Sequence, residues 1–119
     1  MAACEEARGA LEAQLSRQQQ EAADLGTAKA ALEAHIRQLA LELMPFGITV
    51  NGIRAGVTDT PALRRIPQFE QLVAAATQRN PGGRMTRPED VADALVVLAT
   101  PNTHWMTGNI IGIDGGEVM

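Results

Sequence analysis

The sequence predicts an α/β domain built on two parallel strands with flanking helices, and three observations support this prediction. Residues 48–53 and 109–113 are rich in β-branched side chains and are bounded by turn residues, as strands are. Helical patterns lie between these two runs, and strands that are joined through helices pair in parallel with a right-handed crossover. A long helical pattern precedes the first strand.

The composition excludes several classes of partner. The 119 residues are 45% hydrophobic and 20% charged, with a net charge of −4, which argues against a nucleic-acid surface. No apolar run approaches the roughly 18 to 20 residues of a membrane span, so no membrane partner is expected. The single cysteine, Cys4, cannot form an intramolecular disulfide, which fits a reducing compartment. We therefore expect a cytoplasmic protein.

The first 24 residues differ in composition from the rest. They are rich in Ala, Glu and Gln, which favour helix, and poor in large apolar side chains. We therefore expect a helical extension over 1–24 that precedes a domain over 25–119.

An apolar stripe at heptad spacing runs along the predicted helix and is strongest over 27–44. Its positions alternate in steps of four and three: Leu11, Leu15, Gln18, Ala22, Leu25, Lys29, Leu32, Ile36, Leu39 and Leu43. Such a stripe packs either against the helix's own domain or against a partner helix. The second alternative predicts a homo-oligomer through the 27–44 helix, and both alternatives stay open at this point.

Turn and capping residues set the boundaries of the other elements. Pro45 and Gly47 are expected to end the long helix. The pattern then predicts a loop over 54–61, a helix over 67–78, a turn over 80–83, a capping box over 86–89, a helix over 87–99 and a closing turn over 114–116. Two strands are fewer than the roughly three that an independently stable sheet needs, so one edge is expected to be open.

Five motifs follow one another along the chain. They are Gly26-Thr27-Ala28-Lys29-Ala30-Ala31-Leu32-Glu33, Ile48-Thr49-Val50-Asn51, Asp59-Thr60-Pro61, Pro88-Glu89-Asp90-Val91-Ala92 and Asp114-Gly115-Gly116. In this order and at these spacings they resemble the short-chain dehydrogenases/reductases, over residues 25–116. Phe46-Gly47-Ile48 and residues 59–63 look most like the acyl-carrier-protein reductases.

The resemblance implies both a fold and an activity. The fold is the C-terminal fragment of a Rossmann-like, doubly wound parallel sheet. The activity is the nicotinamide-dependent reduction of a carbonyl or enoyl group, with fatty-acid metabolism as a setting and NAD or NADP as the cofactor.

The family's proton-transfer pair is incomplete in this sequence. The resemblance places Lys29 at the lysine that holds the nicotinamide ribose and makes a tyrosine four residues earlier more acidic. Leu25 stands at that tyrosine's position, and leucine cannot transfer a proton. The family's Gly-rich phosphate cradle and its serine are not found among these residues. Lys29 is therefore predicted as a remnant of the catalytic and cofactor site, and the alternative is a solvated lysine of the helix.

The loop after the first strand carries the other cofactor-binding residues that the resemblance implies: Gly56, Thr58 and Thr60. Thr60 matches the threonine whose hydroxyl reaches the nicotinamide carboxamide, and Thr58 stands where backbone groups are offered. Ala55 replaces a proline of the family. Asp59-Thr60-Pro61 would also start a helix, with Pro at its first position, and the two roles can coexist. No metal site is expected, because His35 and His104 have no second ligand at metal-binding spacing.

Two functions of different classes remain. The first is an oxidoreductase of the resembled family, expected to be inactive as this chain alone. The second is a non-catalytic oligomerisation or interaction module, which would use the 27–44 helix and the open strand edge. Its partner would be a second copy of the chain or a full-length relative.

Overall fold

The computed structural model describes residues 2–118 and confirms the predicted α/β class. Its elements are α1 (Ala2–Leu43), β1 (Gly52–Ala55), α2 (Pro61–Arg64), α3 (Phe69–Arg79), α4 (Pro88–Leu98) and β2 (Ile110–Ile113), with short 3-10 turns at Met44–Phe46 and Pro101–Thr103. The chain divides into two compact units, one ending at His35 and the other beginning at Ile36. The expected domain boundary between residues 24 and 25 stays a prediction, since α1 runs through it unbroken.

The first unit is the N-terminal part of α1, up to His35. Residues 2–32 are all exposed. Side chains one turn apart bond to each other, as between Arg8 and Glu12 at 2.9 Å and between Gln20 and Asp24 at 3.0 Å. Such pairs stabilise a helix by only about 0.2–0.5 kcal/mol each. This stretch of helix therefore depends on its backbone and its helix-favouring composition.

The end of α1 follows the prediction. Gly47 adopts a left-handed conformation at φ 73°, and its N–H donates to the Met44 carbonyl at 2.9 Å. The Ile48 N–H donates to the Leu43 carbonyl at 3.3 Å, which satisfies one of the last helical carbonyls. Pro45 and Gly47 therefore turn the chain from the helix towards the first strand.

The sheet consists of β1 and β2 paired in parallel, with Gly52 opposite Ile110 and Ala55 opposite Ile113. The second strand is confirmed to within one residue, but the first begins four residues later than the predicted 48–53. The Val50 N–H donates to the Thr107 hydroxyl at 3.0 Å, and the Val50 carbonyl accepts from Gly108 at 2.8 Å. The backbone before β1 is therefore held by the turn that precedes β2, and the ladder starts only afterwards.

The last turns of α1 pack against the sheet. The Ile36 Cδ1 atom lies 2.7 Å from the point where a Cβ at position 52 would stand, so a side chain there would force Ile36 to shift. Ala40 is buried, whereas Leu32 and Leu39 on the same helix remain exposed. Ile36 of the heptad stripe therefore packs on its own domain. Leu32 and Leu39 are exposed, so packing of the stripe against a partner helix stays a prediction.

The start of α4 differs by one residue from the predicted capping box over 86–89. Arg87 is the N-cap, and its backbone N–H donates to the Asp90 carboxylate at 2.8 Å, so Asp90 takes the part expected of Glu89. Asp90 also accepts two hydrogen bonds from Arg84, at 2.7 and 2.9 Å. Thr86 lies outside the cap and is buried. No helix within residues 2–118 is both long enough and apolar enough to cross a membrane.

The Arg84–Asp90 pair makes a prediction about acid titration. The Arg84 guanidinium, with help from the Arg87 N–H, lowers the pKa of Asp90 from 3.8 to about 2. A carboxyl pKa that is lower in the folded state stabilises the fold at pH values above the unfolded-state pKa of 3.8. That stabilisation is lost as the pH falls through the folded-state pKa of about 2. Arg84→Gln should raise the Asp90 pKa towards 3.8, as followed by NMR of the carboxyl carbon. Arg79→Gln, at the end of α3, is the control, and an unchanged Asp90 midpoint in Arg84→Gln would contradict the assignment.

Candidate functional site

The segment 56–60 leaves the carboxyl end of β1 and reaches α2 at Pro61. In open sheets of parallel strands, ligands bind outside the carboxyl ends of the strands. Three of the residues that the resemblance implied, Gly56, Thr58 and Thr60, therefore lie together on one loop at the carboxyl end of β1. The loop belongs to the second unit.

Gly56 is the point at which the loop is fixed to the sheet. Its N–H donates to the Ile113 carbonyl at 3.1 Å, which extends the β1–β2 ladder by one bond. A Cβ at this position would stand 2.6 Å from Glu117 Oε2 and 2.6 Å from Thr86 Oγ1. Any side chain here would force Glu117 and Thr86 to shift, because real Cβ atoms essentially never lie at such distances. The role of Gly56 seen here is therefore to let the backbone pass over buried polar side chains.

The side chain and the backbone of Thr58 both contact other groups of the protein. Its hydroxyl donates to the Gly56 carbonyl at 2.8 Å, and its backbone forms an isolated parallel bridge with Thr86. These bonds occupy the side-chain proton and fix the backbone. The structure thus brings Thr58 to the loop but gives its hydroxyl an internal partner.

Thr60 begins α2, as the alternative helix-start interpretation predicted. Its Oγ1 atom accepts the Leu63 N–H at 3.3 Å, and Pro61 follows at the first helical position. A hydroxyl that accepts this bond still carries its own proton. That proton has no acceptor among the residues that the structure describes, so Thr60 can donate it to a ligand at the carboxyl end of β1.

The neighbouring Asp59 stiffens the same segment. Its two carboxylate oxygens each accept one hydrogen bond from Arg64, both at 2.8 Å. Hydrogen bonding to this guanidinium lowers the pKa of Asp59 below its ordinary value. The pair closes the first turn of α2 across the loop and limits how Thr60 can move.

Four buried polar residues lie under and beside the loop, and the sequence interpretation assigned none of them to the site: Asn80, Thr86, Asp114 and Glu117. The Asn80 amide donates to the Asp114 carbonyl at 2.9 Å and accepts the Gly82 N–H at 2.7 Å. Glu117 accepts the Val57 N–H at 3.0 Å. Gly115 and Gly116 both have positive φ, at 62° and 88°, which folds the chain back and brings Glu117 under the loop. The glycine pair was the available clue, because it predicts a reversal after β2.

A cavity of about 270 Å³ lies beside this cluster. Its walls include Asn80, Arg84, Thr86, Asp90, Ile113 and Asp114. Within the described part of the chain, every buried polar side-chain atom has a hydrogen-bond partner. The walls therefore present no unpaired buried group that would select a ligand.

Lys29 lies in the first unit, on α1, and its side chain is exposed. Leu25 precedes it by one helical turn and is 60% exposed, so the two side chains share a helix face. The helical spacing and the exposure are all that the structure gives for this pair, so the remnant role of Lys29 stays a prediction. Within residues 2–118, no cluster of His, Cys, Asp and Glu could hold a metal ion.

Comparison with known proteins identifies what this arrangement is similar to. The family model described as enoyl-(acyl carrier protein) reductase matches residues 11–117. The short-chain reductase protein NovJ of Streptomyces niveus is 34% identical over 96 residues, which cover 76% of this chain and 37% of the relative. The NADH enoyl-[acyl-carrier-protein] reductase FabI of Aquifex aeolicus is 37% identical over 92 residues, which cover 77% of this chain and 34% of the relative.

A solved structure gives the same result. The enoyl-acyl carrier protein reductase of Bacillus cereus, in complex with NADP+ and indole naphthyridinone, matches with a TM-score of 0.72 and 35% identity. The match covers 79% of this chain and 37% of that structure, so the chain spans little more than a third of the length of these relatives. On the strength of the matched residues 11–117, the chain belongs to the short-chain dehydrogenase/reductase family and is similar to its acyl-carrier-protein reductases.

Proposed function

We propose that this chain provides the nicotinamide-carboxamide loop of a reductase that acts on carbonyl or enoyl groups. The observation that carries the proposal is the Thr60 hydroxyl, whose oxygen caps α2 while its proton stays available. A primary amide oxygen is a good acceptor for such a proton. The cytoplasmic location expected from the composition is part of the same proposal.

The residues present fit one end of a nicotinamide cofactor. When bound, the nicotinamide ring supplies or accepts a hydride. Thr60 would hold the carboxamide, and Gly56 would keep the loop close to the sheet. A ribose-holding role for Lys29 is what the family resemblance implies, and it concerns the first unit alone. FabI of Aquifex aeolicus is named for NADH and the Bacillus cereus structure contains NADP+, so either cofactor is compatible with the proposal.

The first prediction of this proposal concerns Thr60. NADH should bind weakly through its nicotinamide end, and Thr60→Val should weaken that binding by about tenfold, because one donated hydrogen bond is lost. Binding is measured by titrating NADH while following its fluorescence. Thr60→Ser keeps the hydroxyl and should bind like the unmodified chain.

Thr60→Asp separates binding from capping, since aspartate caps a helix but cannot donate when ionised. It should therefore lose NADH binding while α2 stays formed. Tight, sub-micromolar binding of an adenine nucleotide without nicotinamide would contradict the proposal, because the chain would then bind the adenine end of the cofactor and not the carboxamide.

A second prediction is that this chain alone does not catalyse hydride transfer. Leu25 removes the proton donor beside the substrate, and loss of a general acid typically costs about 10² to 10⁴ in rate. Leu25→Tyr should not restore activity, because these residues still include neither the family's serine, which polarises the substrate carbonyl, nor its Gly-rich phosphate cradle. Oxidation of NADH and NADPH with acetoacetyl and crotonyl thioesters is the assay. Steady turnover that Lys29→Ala abolishes would show that another proton donor is present.

A second candidate function, an oligomerisation module, is favoured by the open edge of the sheet. The N–H groups of Gly52 and Gly56 both point to β2, so the alternate residues Ile53 and Ala55 direct their backbone groups to the other side. No described residue pairs with those groups. Exposed leucines at heptad spacing on α1, namely Leu25, Leu32 and Leu39, add an apolar stripe. Such edges and stripes bind a second copy or a full-length relative.

The helix stripe can be tested with a matched pair of variants. Leu39→Glu should weaken self-association at least about tenfold, because a charge would enter an apolar interface. Leu41→Glu makes the same change on the opposite face, where Leu41 is 73% exposed, and should leave association unchanged. Sedimentation velocity over a concentration series measures both. A folded monomer at high concentration, before any substitution, would exclude this candidate.

A further inference from the structure

We infer that Glu117 is the positioning residue of the cofactor loop, holding the 56–60 backbone in the conformation that presents Thr60. The inference rests on the proposed function for the part that concerns nicotinamide. For the part that concerns the loop, it rests only on the contacts of Glu117. No catalytic step is assigned to this residue, since its carboxylate contacts protein groups.

The Glu117 carboxylate is buried and contacts the loop at Val57, from which it is separated by 60 residues in the sequence. The residue is 8% exposed, and its Oε2 atom accepts the Val57 N–H at 3.0 Å. Burying a carboxylate is costly unless it is hydrogen-bonded, so this contact must be maintained for the group to stay inside. The Val57 amide is therefore tied to the last turn of the chain that the structure describes.

Two further contacts define where the carboxylate sits. The Glu117 N–H donates to the Asp114 carbonyl at 3.1 Å, which fixes its backbone relative to the end of β2. The Oε2 atom also occupies the space directly over Gly56, 2.6 Å from where a Cβ would stand. The absence of a side chain at position 56 thus creates the space that the Glu117 carboxylate fills.

The Val57 amide lies between two parts of the loop that are held by different contacts. On one side, Gly56 continues the β1–β2 ladder through its bond to Ile113. On the other side, Thr58 bridges to Thr86, and Asp59 and Thr60 belong to the start of α2. Freeing the Val57 N–H would leave the Gly56–Val57 peptide held through its carbonyl by the Thr58 hydroxyl, so the loop that leads to Thr60 would be less rigid.

Hydrogen exchange tests the positioning without any cofactor. Glu117→Ala should speed exchange of the Val57 amide at least about tenfold, because a charge-assisted hydrogen bond is lost. Glu117→Asp keeps the charge but is one methylene shorter, so it should give the same result. Glu117→Gln keeps an acceptor oxygen at the right reach and should restore protection.

An internal reference separates local opening from unfolding. The Gly82 amide, held by Asn80 Oδ1 at 2.7 Å, should exchange at its normal rate in all three variants. Glu21→Ala, an exposed position on α1, is the control for loss of a carboxylate. If Glu117→Ala unfolds and exposes Gly82 as well, the milder Glu117→Asp carries the test. Protection of Val57 that survives in Glu117→Asp would overturn the inference.

The link to the cofactor is tested by titrating NADH into the same variants. Glu117→Asp should weaken NADH binding severalfold, and Glu117→Gln should bind like the unmodified chain. Unchanged binding in Glu117→Asp, with Val57 exchanging fast, would overturn the positioning role. If the unmodified chain does not bind NADH, the proposed function fails, and the exchange of Val57 alone then decides whether Glu117 holds the loop.

Discussion

The close approach at Gly56 is the constraint on which the second unit depends. At Gly56, directly after β1, the backbone lies so close to Glu117 and Thr86 that any Cβ would force these side chains to shift, and the Gly56 N–H still completes the ladder to Ile113. The approach brings together the end of both strands, the start of α4 and the final turn. Because buried polar groups must be paired, the same approach also requires the Val57 and Thr58 bonds that shape the loop. The shape of the 56–60 loop therefore follows from the hydrogen bonds that pair the buried polar groups at the carboxyl end of the sheet.

Much of this fold could be predicted from local sequence. The helix end at Pro45 and Gly47, the strand at 110–113 and the start of α2 at Thr60 follow from residue preferences that act over a few positions. Two boundaries differ from the prediction. The cap of α4 lies one residue later because Asp90, and not Glu89, accepts the Arg87 N–H. The start of β1 depends on a remote side chain, because the Thr107 hydroxyl that accepts the Val50 N–H lies 57 residues from Val50. Glu117 was missed for the same reason, since 60 residues separate it from Val57.

The two candidate functions draw on different parts of the chain. The nicotinamide proposal rests on the 56–60 loop of the second unit, where geometry is fixed by several bonds. The association proposal rests on surfaces that the fold leaves open, namely the β1 edge at Ile53 and Ala55 and the exposed leucines of α1. Membership of the reductase family accounts for the residues of the 56–60 loop. It does not account for the open β1 edge or for the exposed leucines of α1.

The central claim is that the 56–60 loop is the ligand-binding surface of this chain. The most direct measurement is amide chemical-shift mapping of the isotopically labelled chain during titration with reduced nicotinamide mononucleotide, which carries the carboxamide without the adenine. The account predicts that the largest shifts fall on Val57, Thr58 and Thr60 and the first turn of α2, with saturation. Shifts that cluster away from this loop, or none up to high ligand concentration, would contradict it.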